Sequence, residues 1–250
     1  MEKDFSKNSQ NIKKLFNDIS NDYDKLNNIM TFGLHKEIKR NAISSLDINL
    51  FNVYSTYDHD LSSRSSIPVR QPKILDLCTG TGDLAGLLKK KYPDAQVIGV
   101  DFSHEMLKIA KEKYSDIEFL ETDCTKLPFE NEQFDLCIIS FGLRNVENIE
   151  KVLQEIHRVL KKGGCFINID LGKPNKFFNL FFKPYMYLWV SLLGKVFHGD
   201  ETPYKYLAVS NEEFPSQNML VELFKEIGFV DVKNKNYVFG QIASQISYKL

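Results

Sequence analysis

Short apolar runs alternate with amphipathic stretches along most of this sequence, and that alternation restricts the fold more than any other feature. The apolar runs lie at Lys73–Cys78, Gln96–Val100, Ile117–Leu120, Phe134–Ile139 and Cys165–Ile169. Helical patterns separate most of them, at Asp83–Lys91, His104–Tyr114 and Val146–Leu160; in the first, Leu84, Leu87 and Leu88 fall on one side. Strands spaced by helices predict parallel βαβ units with right-handed crossovers. The first three strands are short and mainly apolar, as expected when both faces are covered. Near the end, Pro215–Ile227 reads as an amphipathic helix stopped by Gly228. Val230–Val238 and Ile242–Lys249 then flank a Gly-containing turn, which predicts an antiparallel pair. The expected architecture is therefore α/β and Rossmann-like: a mainly parallel, seven-stranded sheet with a C-terminal antiparallel hairpin and helices on both faces.

With 250 residues, the chain suits a single domain with additions. Residues 1–46 read as an N-terminal helical cap over cofactor and substrate. Within it, Ile12, Leu15, Phe16 and Ile19 recur at helical spacing, Ser20 and Asn21 interrupt, and Leu34–Leu46 resumes after Tyr23–Gly33. Residues 47–72, rich in Ser, Asp and Asn, read as a long loop insertion. Residues 173–214 read as an aromatic-rich helical lid insertion. Their Phe177, Phe178, Phe181, Phe182, Tyr185, Tyr187 and Trp189 suit either packing between lid helices or a surface for an apolar tail.

The formal net charge of −1 carries no broad electrostatic footprint for nucleic acid. The four cysteines, Cys78, Cys124, Cys137 and Cys165, show no C-x-x-C spacing and no His at metal-ligand distance. They read as small buried hydrophobes in a reducing compartment, with no metal. The N-terminus has no apolar signal-like region. In the apolar stretch Phe177–Phe197, the longest charge-free segment is Pro184–Gly194, too short to span a bilayer. A cytoplasmic protein is expected, with peripheral membrane contact and a homodimer left open.

The first strand runs into Asp76-Leu77-Cys78-Thr79-Gly80-Thr81-Gly82-Asp83. Gly80 to Ala85 satisfies the dinucleotide pattern G-x-G-x-x-G/A, which alone fits a nicotinamide oxidoreductase as well as a methyltransferase. A pyrophosphate would sit at the following helix N-terminus, and Asp83 there would repel it. S-adenosylmethionine has no phosphate and carries an ammonium and a sulfonium, which Asp76 and Asp83 suit. A plain N-cap role for Asp83 is the alternative. Asp101, beside Phe102 at the end of the second strand, is placed to accept both ribose hydroxyls. Asp123, beside Cys124 at the end of the third, is placed to accept the adenine amine or to remain a solvated carboxylate. Ser140, ending the fourth strand, falls beside the reacting methyl.

Longer stretches go further. Tyr23-Asp24-Lys25-Leu26-Asn27-Asn28-Ile29-Met30-Thr31-Phe32-Gly33-Leu34-His35 resembles the N-terminal signature of the ubiquinone/menaquinone biosynthesis C-methyltransferase family, within the class I S-adenosylmethionine-dependent methyltransferases. Ser140-Phe141-Gly142-Leu143-Arg144-Asn145-Val146 is similar to that family's S-F-G-x-R-N stretch, and Arg158–Gly164, Tyr204–Leu207 and Phe214-Pro215 match as well. The sequence departs from the family at Ile38, where Trp is usual, and at Asp170-Leu171-Gly172, where Glu-Phe-Ser is usual. The resemblance implies methyl transfer to a ring carbon of a prenylated hydroquinone, demethylmenaquinol foremost. It implies cofactor contacts at Thr81, Asp101, Asp123, Cys124 and Ser140, with Asp76, Gly80, Gly82 and Phe102 from the glycine loop and the second strand end.

Such a reaction needs a ring carbon made electron-rich by loss of a neighbouring hydroxyl proton. Arg144 is expected to stabilise the phenolate, since it is too basic to accept a proton, and Asn145 to orient it. His35, of a residue type that titrates near neutrality, is the candidate base or water-holder. Packing or a surface ion pair are the bland alternatives for His35 and Arg144. Tyr23 and Asp24 are placed to help close the site. A methyltransferase for another small molecule or a sterol, and a non-catalytic S-adenosylmethionine-binding protein, are the competing readings.

Overall fold

The computed structural model describes residues 9–31, 33–44, 71–175, 177, 179, 180, 184 and 210–250. Among them, seven strands form one sheet: β1 Lys73–Leu77, β2 Gln96–Asp101, β3 Glu118–Glu121, β4 Phe134–Ser140, β5 Leu160–Leu171, β6 Phe229–Tyr237 and β7 Ile242–Lys249. They lie in the order β3-β2-β1-β4-β5-β7-β6. The pairs β1–β2, β1–β4, β2–β3 and β4–β5 are parallel, whereas β7 runs antiparallel to both β5 and β6. The expected mainly parallel sheet with its terminal hairpin is thus the observed one.

Alternation along each strand divides the core into two layers. Ile74, Val97, Leu136, Ile138 and Ile167 face helices α4, Asp83–Lys91, and α5, His104–Lys113, through Leu84, Leu88, Leu107 and Ala110. Leu75, Leu77, Val100, Ile139 and Phe166 face α6, Ile149–Val159, and α7, Gln217–Ile227. Val152, Leu153, Ile156 and Val159 of α6 are fully buried, each contributing roughly 1.5–3 kcal/mol by leaving water. Helices on both faces leave the carboxyl ends of the parallel strands open, with β1 diverging to β2 on one side and β4 on the other. That crevice is where open α/β sheets bind ligands.

Local chemistry sets the helix ends. Ser103, Asn148 and Ser216 each accept a backbone N–H from the first turn of α5, α6 and α7. Asn148 explains why α6 starts at Ile149 rather than at the expected Val146: Leu143–Asn145 first make a 3-10 turn. At its other end, α6 stops at Val159, and Leu160 already pairs with Phe134. Gly163 and Gly164 lie within β5, with Gly163 at φ 74°.

The N-terminal residues form α1, Ser9–Ile19, α2, Tyr23–Thr31, and α3, Leu34–Ser44. Ile12, Phe16 and Ile19 of α1 pack on Met106 of α5 with Phe102 and Tyr23. Ser103 donates to Asn17 at 2.6 Å. Ile38, Ala42 and Ile43 of α3 join the core layer with α4. These contacts hold the three helices over the open strand ends. Most of the expected 47–72 loop and of the 173–214 lid lies outside the described residues.

Candidate active site

The loop after β1 is built by backbone turns. Cys78, Gly80 and Gly82 take φ of 51°, 57° and 80°, a region that favours glycine. The Asp76 carboxylate accepts the Thr79 hydroxyl at 2.6 Å, and Thr79 N–H donates to Val100 O at 3.0 Å. Gly82 leaves little space for a side chain: a Cβ there would meet Phe119, Ala110 and Tyr114 tightly, at 3.0–3.1 Å. Asp101 closes the turn, taking Gly80 N–H at 2.8 Å and Ser103 N–H at 2.9 Å. Burial pushes the Asp76 carboxyl up to about 7 and that of Asp101 up to about 6, although the hydrogen bonds to each resist the rise.

Two cavities open at this edge. The first, about 430 Å³, is lined by Gly80, Asp101, Phe102, Asp123, Cys124 and Ser140, with Phe16 and Met106 beside Phe102 and with Asn145 across from them. It falls within the about 300–1,000 Å³ range of small-molecule sites. Carboxylates at Asp101 and Asp123 suit hydroxyl and amine donors, and apolar Phe16, Phe102 and Met106 suit a flat heterocycle. Ser140 Oγ is buried without a hydrogen-bond partner, a polar atom left for a ligand. These features fit S-adenosylmethionine.

The second cavity, about 250 Å³, is lined by His35, Lys39, Thr31, Thr81, Arg144 and apolar Leu34, Leu171, Val238 and Ile242, together with Asp24 and Asp83. Both cavities share Tyr23, Cys78, Gly80, Ser140 and Phe141. Phe141 holds a positive φ of 57°, and its carbonyl accepts Arg144 Nη1 at 2.6 Å and Asn145 Nδ2 at 3.2 Å. Arg144 Nη1 also donates to Asp170 Oδ1 at 2.8 Å, in a pair whose side chains are 7% and 1% exposed.

His35 is held neutral. Burial, then Lys39 and Lys36, pull its pKa down to about 4. Thr31 donates its hydroxyl proton to Asn27 O at 2.7 Å, so in its 2.6 Å contact with His35 Nδ1 the Thr31 oxygen must accept. His35 therefore carries its proton on Nδ1, and Nε2 keeps a lone pair.

The residues expected from sequence divide between these places. Gly80, Asp101, Phe102, Asp123, Cys124, Ser140 and Asn145 line the first cavity; Thr81, His35 and Arg144 line the second; Gly80 and Ser140 belong to both. Asp76 and Gly82 line neither and shape the loop from behind. Asp83 does not cap α4. Gly82 occupies the cap position without a side-chain bond, and Asp83 lies in the second cavity, 3.6 Å from Lys113. Thr81 donates to Asp24 at 2.8 Å, which fastens α2 to the loop. Lys39 escaped sequence reasoning, although its spacing of four from His35 on one helix was the signal available. Asp170 escaped too, because its partner Arg144 is distant in sequence.

The model of the ubiE/COQ5 methyltransferase family matches residues 4–249. The chain belongs to that family. Curated relatives of this ubiE/COQ5 member include the demethylmenaquinone methyltransferase of Lactococcus lactis, 38% identical with 97% of this chain and 91% of the relative covered. That of Thermotoga maritima is 34% identical, with 89% and 90% covered. Among solved structures, an S-adenosylmethionine-dependent methyltransferase of Thermotoga maritima, a possible histamine N-methyltransferase, shares the fold at a TM-score of 0.59, with 20% identity and coverage of 96% and 100%. A Haemonchus contortus phosphoethanolamine N-methyltransferase solved with S-adenosyl-L-methionine gives a TM-score of 0.54 at 16% identity, over 73% and 50% of the two chains. The departures from the family pattern fit locally: Ile38 is buried in the core layer, and a Cβ at Gly172 would lie 2.4 Å from Gln217 Nε2 and 2.5 Å from Gly240 O.

Proposed function

We propose that this ubiE/COQ5 member transfers a methyl group from S-adenosylmethionine to a ring carbon of demethylmenaquinol, a step of menaquinone biosynthesis. The observation that carries the reading is the shared wall: a polar cofactor-sized cavity and a more apolar one meet at Gly80, Cys78, Ser140 and Phe141. The relatives named as demethylmenaquinone methyltransferases support the acceptor.

S-adenosylmethionine supplies an electrophilic methyl on a positive sulfur. Asp101 and Asp123 would hold the ribose and adenine ends, and Ser140, shared by the two cavities, would lie near the transferred methyl. In the second cavity His35 Nε2 accepts the ring hydroxyl proton. With the phenolate formed, the ortho carbon would be electron-rich enough to take the methyl as the carbon–sulfur electron pair stays on sulfur, and the ring C–H proton would pass to solvent. Arg144 and Asn145 jointly fix the Phe141 carbonyl. Because the Arg144 charge is answered by Asp170, this arrangement gives Arg144 a positioning role in place of direct phenolate contact. Exposed Phe177 and Leu180 support contact of a prenyl tail or a bilayer with this stretch; sedimentation with liposomes tests it. Within the described residues no helix is long and apolar enough to cross a membrane.

The test is incubation with methyl-labelled cofactor and reduced demethyl-quinones of naphthalene and benzene type. Label in the naphthoquinol product is expected. No label in either quinol, with cofactor binding intact, would contradict the reading; labelling of the benzoquinol alone would reassign the ring.

A further inference from the structure

Lys39 follows His35 by one turn of α3, so both side chains project from the same helix face into the second cavity. Arg144 lines that cavity and is already bound to Asp170 and Phe141 O. Lys113 is shared by Asp24 and Asp83. Lys39 makes no hydrogen bond or ion pair among the described residues. The charged groups facing it are Asp83 of α4, Asp76 of β1 and Asp24 of α2, which favour its ammonium form, and Lys36 of its own helix, which opposes it. Burial lowers its pKa more than any of these alone moves it. An ammonium partly buried in this cavity without a direct hydrogen bond gains by meeting an anionic oxygen there.

We propose that Lys39 Nζ binds the acceptor's ring oxygen and stabilises it as the phenolate formed when the hydroxyl proton passes to His35. This rests on reading the second cavity as the quinol site. It gives the reaction two groups on one helix face: His35 takes the proton, and Lys39 holds the charge that remains. Preorganised cations aimed at developing negative charge, in a site closed to water, are among the strongest catalytic devices available.

A chromogenic nitronaphthol, whose naphtholate absorbs in the visible, reads this directly when titrated bound to the full-length protein with S-adenosylhomocysteine. The bound naphthol is expected to ionise about one pH unit or more below the free compound. In Lys39→Met and Lys39→Gln its ionisation returns to the free value. Turnover falls about 100-fold, the cofactor dissociation constant stays within about twofold, and Lys39→Arg recovers part of the turnover. An equal bound ionisation in native protein and both variants would overturn the assignment of Lys39 while native quinol methylation stood. Absence of native quinol methylation would overturn the site reading and the Lys39 assignment with it.

Discussion

The Asp170 carboxylate holds Arg144 at both ends: Oδ1 accepts Arg144 Nη1 at 2.8 Å, and Oδ2 accepts the Arg144 backbone N–H at 3.1 Å. The strand end of β5 thereby fixes the 3-10 turn that follows β4, and with it the wall between the two cavities. Removing one member strands a buried charge. Asp170→Ala is expected to cost about 3–5 kcal/mol of stability, read from the shift of the urea midpoint. Replacing both residues with apolar ones should recover part of that loss. A loss that simply doubles in the double variant would show that the pair does not act as a unit.

Asp101 combines two backbone hydrogen bonds with a place on the cofactor cavity. Asp101→Ala removes a charged acceptor from a ligand and frees the Gly80 turn. Calorimetric titration with S-adenosylhomocysteine should show binding weakened about 10- to 150-fold, matching a charged hydrogen bond of roughly 1.5–3 kcal/mol. Asp76→Asn, which keeps an acceptor for Thr79 and lies behind the loop, should weaken binding far less.

Stability should answer to pH in opposite senses at two buried groups. The Asp76 carboxyl rises from 3.8 to about 7 on folding, so its contribution is complete below 3.8 and is lost as pH climbs through about 7. The His35 ring falls from 6.5 to about 4, so its contribution is complete above 6.5 and is lost as pH drops through about 4. Unfolding midpoints at about pH 5 and about pH 8 separate them. Relative to the native protein, Asp76→Asn gains stability at the higher pH, whereas His35→Asn gains at the lower. Differences independent of pH would contradict both assignments.

Cys78 and Cys124 both line the first cavity, with their sulfurs in contact at 3.8 Å. The Cys124 contact and burial hold the Cys78 thiol well above its ordinary pKa, so little of it is the reactive thiolate. Alkylation of Cys78 by iodoacetamide, followed by mass spectrometry of the peptide, should be slower than that of a free thiol. Excess S-adenosylhomocysteine should slow it further. Indifference to the added compound would place the cofactor elsewhere.

The sheet was legible because burial on both faces leaves an unbroken apolar run, as in Leu136–Ile139, and because Gly80 and Gly82 mark the turn that follows β1. Helix ends were less legible. Asn148 and Leu160 decide the limits of α6, and neither stands out from its neighbours in a hydrophobic pattern. Tyr23–Gly33 read as an interval between helices, yet Tyr23–Thr31 is helical: its Asn-rich composition has weak intrinsic preference, and packing of Tyr23 beside Phe16 compensates. For the site, Asp101, Asp123 and Ser140 could be found from strand ends alone. Asp83 could not be placed, because a residue at a helix start can turn toward either side of the loop. Pairings between distant segments, such as Arg144 with Asp170 or Thr81 with Asp24, leave no spacing to read.

The account depends on methyl transfer to carbon at the boundary of the two cavities. Carbon-13 NMR of the product formed from ¹³C-methyl-labelled cofactor and reduced demethylmenaquinone tests this most directly. An aryl C–CH₃ resonance is predicted; an aryl methoxy resonance would contradict the account.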